Sequence, residues 1–267
     1  MKKLIFLIIS LFLVGLIFAG DHSKPREIHC KHFIYGYPLG TDPGNDLIIR
    51  DIYAMSSNDE TKFADWVAYR LDREVISGPK RNRIWKSDPW LEDSETLEPE
   101  DYKSAHEKLG TDRGHQLPLG SCDGSRDWHE ANYLSNITPQ RSDLNRGAWK
   151  YLESSIRKLL DSSEYIYVMT GPLYEREMPK LPKADEEHKV PSGYWKIVVI
   201  QKKKGIETAA FIFDQNTEKA ARYQDHSVSI DEVESRSGLD FLWELEDVRE
   251  KEIESVINTK FVENRFK

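Results

Sequence analysis

Four consecutive residues, Asp112 to His115, place a carboxylate, a guanidinium, a glycine and an imidazole together in the stretch LGTDRGHQLPLGSCDG. The imidazole of histidine has an ordinary pKa near neutrality, so His115 can accept a proton from an attacking water molecule. A histidine in a polar turn is also a common structural feature, and these four residues alone do not separate the two roles. The role of His115 therefore depends on the side chains that the rest of the chain brings to it.

A second set of polar side chains recurs along the predicted helix SDLNRGAWKYLESSIRKLLDSS. Four residues are spaced every four positions and form one slowly drifting stripe. They are Asn145, Trp149, Glu153 and Arg157. A solvent-facing helix with salt bridges explains Glu153 and Arg157 equally well, whereas Asn145 suits a helix start or a ligand position. If His115 packs against the start of this helix, the set suits phosphodiester hydrolysis. Mg²⁺ prefers oxygen ligands such as an amide, and arginines bind phosphate in a bidentate manner.

Local patterns predict the elements that must position these residues. Residues 21 to about 60 are predicted to be an irregular arm, because Pro and Gly are spread through YGYPLGTDPGND. Strands are predicted for FADWVAYRL, NRIWKSDP, YIYVMTGPLY, YWKIVVIQKK and TAAFIFDQNT. Helices are predicted for Tyr102–Leu109, for the stripe segment and for SIDEVESRSGLDF, and turn residues place His115 in or beside a loop. The elements lack a regular βαβ order, which favours an α+β fold with a central, mostly antiparallel sheet flanked by helices.

Three ordered blocks carry a resemblance that extends well beyond one four-residue motif. They are DRGHQLPLG (Asp112–Gly120), NYLSNITPQRSDLNRGAWKYLE (Asn132–Glu153) and VMTGPLYERE (Val168–Glu177). Together they resemble the DNA/RNA non-specific endonucleases, the ββα-metal family with an Asp-Arg-Gly-His signature. That family includes secreted bacterial sugar-non-specific nucleases and mitochondrial endonuclease G, and the likeness to the bacterial branch covers most of residues 60 to 240. It implies a ββα-metal nuclease fold and an endonuclease that cleaves DNA and RNA with little sequence preference, leaving 5′-phosphate ends.

The resemblance implies a role for each member of the central set. His115 matches the general base that activates water, and Asn145 matches the single direct protein ligand of the metal. Glu153 matches the glutamate that holds water of the metal and assists the leaving group. Asp112 is expected to orient its loop rather than to bind metal. The implied cofactor is Mg²⁺, and Mn²⁺ is an alternative that the sequence leaves open.

The resemblance also implies roles for residues around this centre. Arg83 aligns with an arginine that contacts the scissile phosphate, and Arg113 is expected to steady either the phosphate or the site itself. Arg157 is expected to face the substrate. Asn136 and Gln140 are expected to hold the loop and the water molecules that surround the metal.

The first twenty residues differ from the rest, because two lysines precede the uninterrupted apolar run LIFLIISLFLVGLIFA. This order is typical of a secretory signal peptide, and an uncleaved membrane anchor is the alternative. We therefore expect residues 1–20 to be a leader and residues 21–267 to form a single endonuclease domain outside the cytoplasm, secreted or periplasmic. Two cysteines, Cys30 and Cys122, are compatible with one disulfide or with two free thiols.

The formal net charge of −8 argues against a globally basic nucleic-acid-binding surface. Nucleic-acid binding then requires a locally positive cleft, which several arginines and a divalent cation can create in an acidic protein. The expected partners are DNA and RNA substrates and an inhibitor protein, with no membrane partner unless the leader is retained. The sequence leaves open whether the protein is a monomer or a dimer.

The sequence also bears on two alternative functions. A catalytically weak nucleic-acid-binding protein on the same fold is expected to have lost His115, Asn145 or Glu153, and all three are present. A nuclease restricted to DNA retains the same residues, so the sequence does not separate it from a nuclease that cleaves both nucleic acids.

Overall fold

The computed structural model describes residues 25–203 and 205–266 of the 267-residue chain. The predicted leader at residues 1–20 lies outside the described residues. The strands of the described chain are β1 (Asp46–Ile49), β2 (Ala54–Asn58), β3 (Phe63–Leu71), β4 (Thr111–His115), β5 (Ile137–Arg141), β6 (Ile166–Leu173), β7 (Gly193–Lys202), β8 (Gly205–Asp214) and β9 (Ser227–Val228). The helices are α1 (Ala105–Leu109), α2 (Ser142–Arg146), α3 (Ala148–Lys158), α4 (Ile230–Ser237), α5 (Asp247–Glu254) and α6 (Thr259–Arg265).

The larger sheet contains seven strands in the order β1-β2-β3-β6-β7-β8-β9. Every neighbouring pair in it is antiparallel, and the longest pairing, β7 with β8, extends from Gly193 opposite Asp214 to Lys202 opposite Gly205. The α+β class with a central antiparallel sheet is therefore confirmed. Four of the five predicted strands are also confirmed, as β3, β6, β7 and β8.

This sheet is the middle layer of the molecule, with helices on both faces. Successive side chains of a strand point to opposite faces, so Tyr194 and Val198 of β7 contribute to one core and Trp195 and Ile197 to the other. The first core also contains the buried sides of α3 and α6, and the second contains α4 and the segment after it. We call these the α3 face and the α4 face of the sheet.

A separate ribbon of β4 and β5 carries the DRGH motif on the α3 face. The two strands are antiparallel, with Asp112 opposite Gln140 and His115 opposite Ile137. His115 is the last residue of β4, so the expected position beside a loop is confirmed. A side chain at Gly114 would place its Cβ only 2.7 Å from the side chain of Gln140, and the glycine therefore permits close pairing. The ribbon continues directly into α2 and α3, which completes a ββα unit.

The predicted continuous helix of the stripe is in fact two helices that meet at Gly147. A Cβ at this position would lie 2.5 Å from the backbone oxygens of both Asp143 and Lys219. No side chain fits at that distance, so the close approach of the chain near Lys219 requires glycine at the break. The prediction of one helix was wrong because a helical pattern does not report a contact with a distant segment.

Two other predictions were wrong. The segment NRIWKSDP is not a strand and makes only an isolated bridge between Lys86 and Tyr133. It is held by side chains instead, since the buried Asp88 pairs with Arg50 and accepts a hydrogen bond from Ser135. The arm predicted for residues 21 to 60 contains β1 and β2, which form one edge of the sheet.

The cysteine alternatives are resolved in favour of free thiols. Cys122 is buried in the core of the α3 face, whereas Cys30 packs against the core of the α4 face, so the sheet separates the two sulfurs. Among the described helices, none is long and apolar enough to cross a membrane.

Substitution Gly147→Ala is expected to lower the free energy of unfolding by about 1–3 kcal/mol, because the new methyl group collides with fixed backbone atoms. Urea denaturation measures this difference. Gly44→Ala is the matched control, since its Cβ would meet only the end of the Asp42 side chain at 3.2 Å. Equal stabilities for Gly147→Ala and the unchanged protein would contradict the close approach.

Candidate active site

A cleft of about 890 Å³ opens on the ββα unit, bounded by β4, α1, α2 and α3. The six residues proposed from the sequence all line it, although they come from four separate parts of the chain. They are Arg83, Arg113, His115, Asn145, Glu153 and Arg157. The structure therefore brings the whole predicted set to one place.

The ring of His115 is oriented by Asn132. The Nε2 atom lies 3.3 Å from Oδ1 of Asn132, whose own Nδ2 donates to the backbone oxygen of Asn82 at 3.3 Å. The second hydrogen bond turns the amide oxygen of Asn132 towards the histidine, so Nε2 is the nitrogen that carries the proton. Nδ1 therefore keeps its lone pair and can act as a base.

Burial lowers the pKa of His115 to about 4, and the positive charge of Arg83 contributes in the same direction. The hydrogen bond with Asn132 opposes this shift but does not cancel it. The ring also packs against Trp85, with 5.3 Å between ring centroids. His115 is consequently neutral near pH 7 and able to accept a proton.

Asp112 fixes the amide of Asn145. Its Oδ2 accepts a hydrogen bond from Nδ2 of Asn145 at 2.9 Å and another from Nε of Arg146 at 2.8 Å. Because the amide nitrogen of Asn145 is committed to Asp112, its oxygen is turned away from that carboxylate and is free to bind a cation. The geometry agrees with the expectation that Asp112 orients its surroundings rather than binding metal.

The carboxylate of Asp112 remains ionised in this arrangement. Burial alone would raise its pKa, but hydrogen bonds from Arg146 and Asn145 outweigh burial and hold the pKa below its usual value. Both oxygens are engaged, since Nη2 of Arg146 donates to Oδ1 at 2.6 Å. Asp112 is therefore saturated with donors and has little capacity left for a metal.

Glu153 provides the second oxygen donor of the cleft. Burial raises its pKa, and the positive charges of Lys196 and Arg157 act against that shift. Lys196 lies fully buried in β7 beneath the cleft, with its Nζ 4.4 Å from the ring centroid of Trp149. Burial also lowers the pKa of Lys196 to about 8, so the lysine is still cationic near pH 7. A fixed positive charge thus lies behind Glu153.

The three predicted arginines differ in their contacts. Arg83 is exposed at the cleft. Arg157 also lines the cleft, and it donates to the hydroxyls of Ser121 and Ser154 at 3.3 and 3.1 Å. Arg113 instead donates to the backbone oxygen of Pro99 at 2.8 Å and lies over two aromatic rings. These contacts favour a role for Arg113 in stabilising the site over a role in binding the phosphate.

The cleft is locally basic although the whole chain is acidic. Among the described residues that line it, six are basic and two are acidic. The basic residues are Arg83, Arg113, Arg146, Lys150, Arg157 and Lys219, and the acidic ones are Asp112 and Glu153. Low-dielectric walls and clustered charges of one sign concentrate the field in a cleft, so this surface attracts polyanions despite the net charge.

The loop after His115 is held by Asn136, as expected. Its Oδ1 accepts from the backbone N–H of Leu117 at 2.8 Å, and its Nδ2 donates to the backbone oxygens of Leu117 and Ala131 at 3.1 and 2.9 Å. Gln140 is also buried, and its side chain packs on Gly114 in the facing strand.

Sequence reasoning missed three residues that set the geometry of the site: Asn132, Arg146 and Lys196. A lysine in the otherwise apolar strand YWKIVVI was a usable signal for Lys196. The sequence contains no comparable signal for Asn132 or Arg146. Trp149 was expected on the stripe with Asn145 and Glu153. It does not line the cleft and instead lies buried in the core of the α3 face, against Tyr194 and Phe213.

Comparison with known proteins points to one nuclease family. The sequence model of the DNA/RNA non-specific endonuclease family matches residues 31–248. A nuclease of Serratia marcescens is 46% identical over 237 residues, covering 87% of this chain and 88% of that protein. Human mitochondrial endonuclease G is 27% identical over 212 residues, covering 72% of this chain and 68% of that protein.

The fold also resembles a solved structure, the crystal structure of the EndoG/EndoGI complex, in which EndoG is inhibited. The TM-score is 0.66 with 23% sequence identity, and the match covers 79% of this chain and 90% of that chain. At this level of identity the likeness concerns the fold, and it confirms the expected ββα-metal nuclease architecture.

Substitution Asn132→Asp tests whether His115 is the base. A carboxylate facing Nε2 would raise the pKa of His115 by about 1–3 units, because it stabilises the imidazolium. Since the neutral ring accepts the proton, activity is lost as the pH falls through this pKa. The acid limb of kcat/KM should lie near pH 4 in the unchanged protein and at higher pH in the variant. Identical limbs would contradict the assignment, and circular dichroism at each pH excludes unfolding as the cause.

Proposed function

The chain belongs to the DNA/RNA non-specific endonuclease family, and on that premise we propose that it is an exported, Mg²⁺-dependent endonuclease. It hydrolyses phosphodiester bonds of DNA and RNA with little sequence preference and leaves 5′-phosphate ends. The observation that carries this proposal is the pairing of two oriented groups in one cleft. Asn145 presents a free amide oxygen because Asp112 holds its nitrogen, and His115 presents a free Nδ1 because Asn132 holds its Nε2.

In the proposed reaction His115 removes a proton from water through Nδ1. The resulting oxygen nucleophile attacks phosphorus, and the bond between phosphorus and the 3′ oxygen breaks. The phosphate stays on the 5′ oxygen of the downstream fragment. The leaving 3′ oxygen would take a proton from a water molecule held by Glu153, so the upstream fragment ends in a 3′-hydroxyl. A base with a pKa below the working pH remains unprotonated between turnovers, which the burial of His115 provides.

The residues of the cleft fit a hard divalent cation. Asn145 would provide the direct ligand, because its amide oxygen has no competing partner in the part of the chain that the structure describes. Glu153 would hold water around the ion, since its carboxylate lies in the same cleft. Mg²⁺ retains several waters and therefore needs few protein ligands, and when bound it stabilises negative charge on the phosphate and the leaving oxygen.

Arginines supply the remaining stabilisation of charge. Arg83 is exposed at the cleft and would contact the scissile phosphate, and Arg157 would bind a neighbouring phosphate. Guanidinium groups bind phosphate oxygens in a planar, bidentate manner. The proposed contacts go to the backbone of the nucleic acid and not to the base edges, which is consistent with cleavage that reads little sequence.

Export and inhibition complete the proposal. The lysine pair and apolar run of residues 1–20 support export by a signal peptide or retention by an anchor. An inhibitor protein is proposed as a partner, and the fold shared with the EndoG/EndoGI complex supports it. A nuclease restricted to DNA is the alternative on the same residues. A purely nucleic-acid-binding protein is disfavoured, because His115, Asn145 and Glu153 are all retained in one cleft.

Substitution His115→Ala should reduce the rate of cleavage by about 10²- to 10⁴-fold, the usual contribution of a general base. The chain from Asp21 onward is incubated with supercoiled plasmid and with structured RNA, in Mg²⁺ and in a chelator. The unchanged protein should degrade both substrates only with the metal. His129→Ala is the control, since this exposed histidine lies outside the cleft.

Full activity of His115→Ala would overturn the proposed base. Cleavage of the plasmid without cleavage of RNA by the unchanged protein would select the DNA-restricted alternative. Sequencing the ends of the fragments tests the 5′-phosphate directly.

Cleavage should fall steeply with salt, because binding of a polyanion to the cleft releases counterions. With three or four phosphate contacts, kcat/KM is expected to fall by about tenfold or more between roughly 50 and 200 mM salt. Lys150→Gln and Lys219→Gln should each reduce the logarithmic slope by about 1 without affecting the chemistry. A rate that is independent of salt would contradict electrostatic capture.

A further inference from the structure

A cluster of carboxylates lies on the α4 face of the sheet, on the opposite side from the cleft. Asp231, Glu234 and Glu254 each place a carboxylate oxygen within 4.8 Å of the others. Asp231 and Glu234 are three residues apart on α4 and therefore share one side of that helix, and Glu254 is the last residue of α5. The cluster thus joins two helices that are otherwise linked by a loop.

Glu254 is the unusual member, because its side chain is buried and has an unsatisfied oxygen. The residue is only 5% exposed, and its Oε1 has no hydrogen-bond partner among the described residues. Glu234 uses Oε1 to accept a hydrogen bond from the backbone N–H of Phe241 at 2.9 Å, which leaves its other oxygen free. A buried carboxylate without a donor or a countercharge is costly, and in proteins such groups are normally paired or bind a metal.

The surroundings add negative charge and provide no compensating base. Burial and the neighbouring carboxylates, which include Asp240 and Glu250, raise the pKa of Glu254 to about 9 and that of Glu234 to about 7. Within the described ranges, no lysine, arginine or histidine forms an ion pair with the cluster. Arg236, also on α4, is engaged with Glu175 and Glu232 instead. The ionised form of Glu254 therefore has no countercharge from a described basic residue.

We infer that Asp231, Glu234 and Glu254 form a calcium-binding site separate from the catalytic cleft. The donors are all oxygens, which suits a hard cation, and no sulfur or imidazole ligand is present in the cluster to favour zinc. Ca²⁺ takes six to eight oxygens in flexible geometry and accepts bidentate carboxylates, whereas Mg²⁺ requires near-ideal octahedral geometry. Bound calcium would supply the countercharge for the ionised form of Glu254 and connect α5 to α4.

Equilibrium dialysis of the chelator-treated chain against Ca²⁺ measures the number of ions bound. Glu254→Gln should bind one Ca²⁺ fewer per chain than the unchanged protein. The substitution preserves the shape of the side chain and adds no charge to the cluster, so the variant is expected to fold. Glu252→Gln is the matched control, since Glu252 is exposed on the same helix. Equal binding by Glu254→Gln and the unchanged protein would overturn the inference.

Thermal unfolding provides a second readout that does not depend on activity. Ca²⁺ should raise the Tm of the Asn145→Ala chain, in which the proposed catalytic ligand is removed, and Glu254→Gln or Glu234→Gln in that background should abolish the rise. A rise that persists in both double variants would refute the site. In the single variant Asn145→Ala, loss of one bound Ca²⁺ reports on the catalytic cleft. If that loss is not observed, the proposed metal ligand of the cleft is wrong, and the measurement on Glu254→Gln still tests the calcium site independently.

Discussion

The hydrogen bonds that Asp112 makes with Asn145 and Arg146 are the constraint on which the site depends. They connect β4, which carries His115, to α2, which carries Asn145, and they set the direction of the Asn145 amide. A charged carboxylate that accepts from a guanidinium and an amide makes strong, directional hydrogen bonds. The same bonds hold the pKa of Asp112 low, so the anchor stays ionised under the conditions in which the site would act.

The charged side chains around Asp112 lie in two layers. Basic side chains at the cleft surface supply the attraction for phosphate that an acidic protein otherwise lacks. Beneath them, the buried Lys196 and the half-buried Arg157 offset the burial of Glu153. Oriented charges in a poorly hydrated site stabilise a developing charge without reorganisation, which is the usual source of electrostatic catalysis. The side chains of β7 alternate between the two faces of the sheet, and that of Lys196 points to the α3 face. The strand therefore positions this charge.

The sequence predicted the main sheet well, because β3, β6, β7 and β8 carry strong strand patterns that burial on both faces reinforces. Prediction from the sequence failed where a segment is held by residues that are distant along the chain. The segment NRIWKSDP follows a Ser-Gly-Pro turn after β3, but Asp88 is held by Arg50 and not by a neighbouring strand. The stripe helix breaks at Gly147 because the chain near Lys219 passes against it, and a helical repeat contains no information about that contact.

The sequence by itself determined the chemistry available to this protein: an imidazole base, an amide and a carboxylate in order along the chain, arginines for phosphate, and blocks that resemble one nuclease family. Only the tertiary structure decided which atom of each group is free to act. Asn145 meets Asp112 across 33 residues and His115 meets Asn132 across 17, and these contacts select the free amide oxygen and the free ring nitrogen. The reason is physical, since a hydrogen bond fixes an orientation only when folding brings donor and acceptor to about 3 Å.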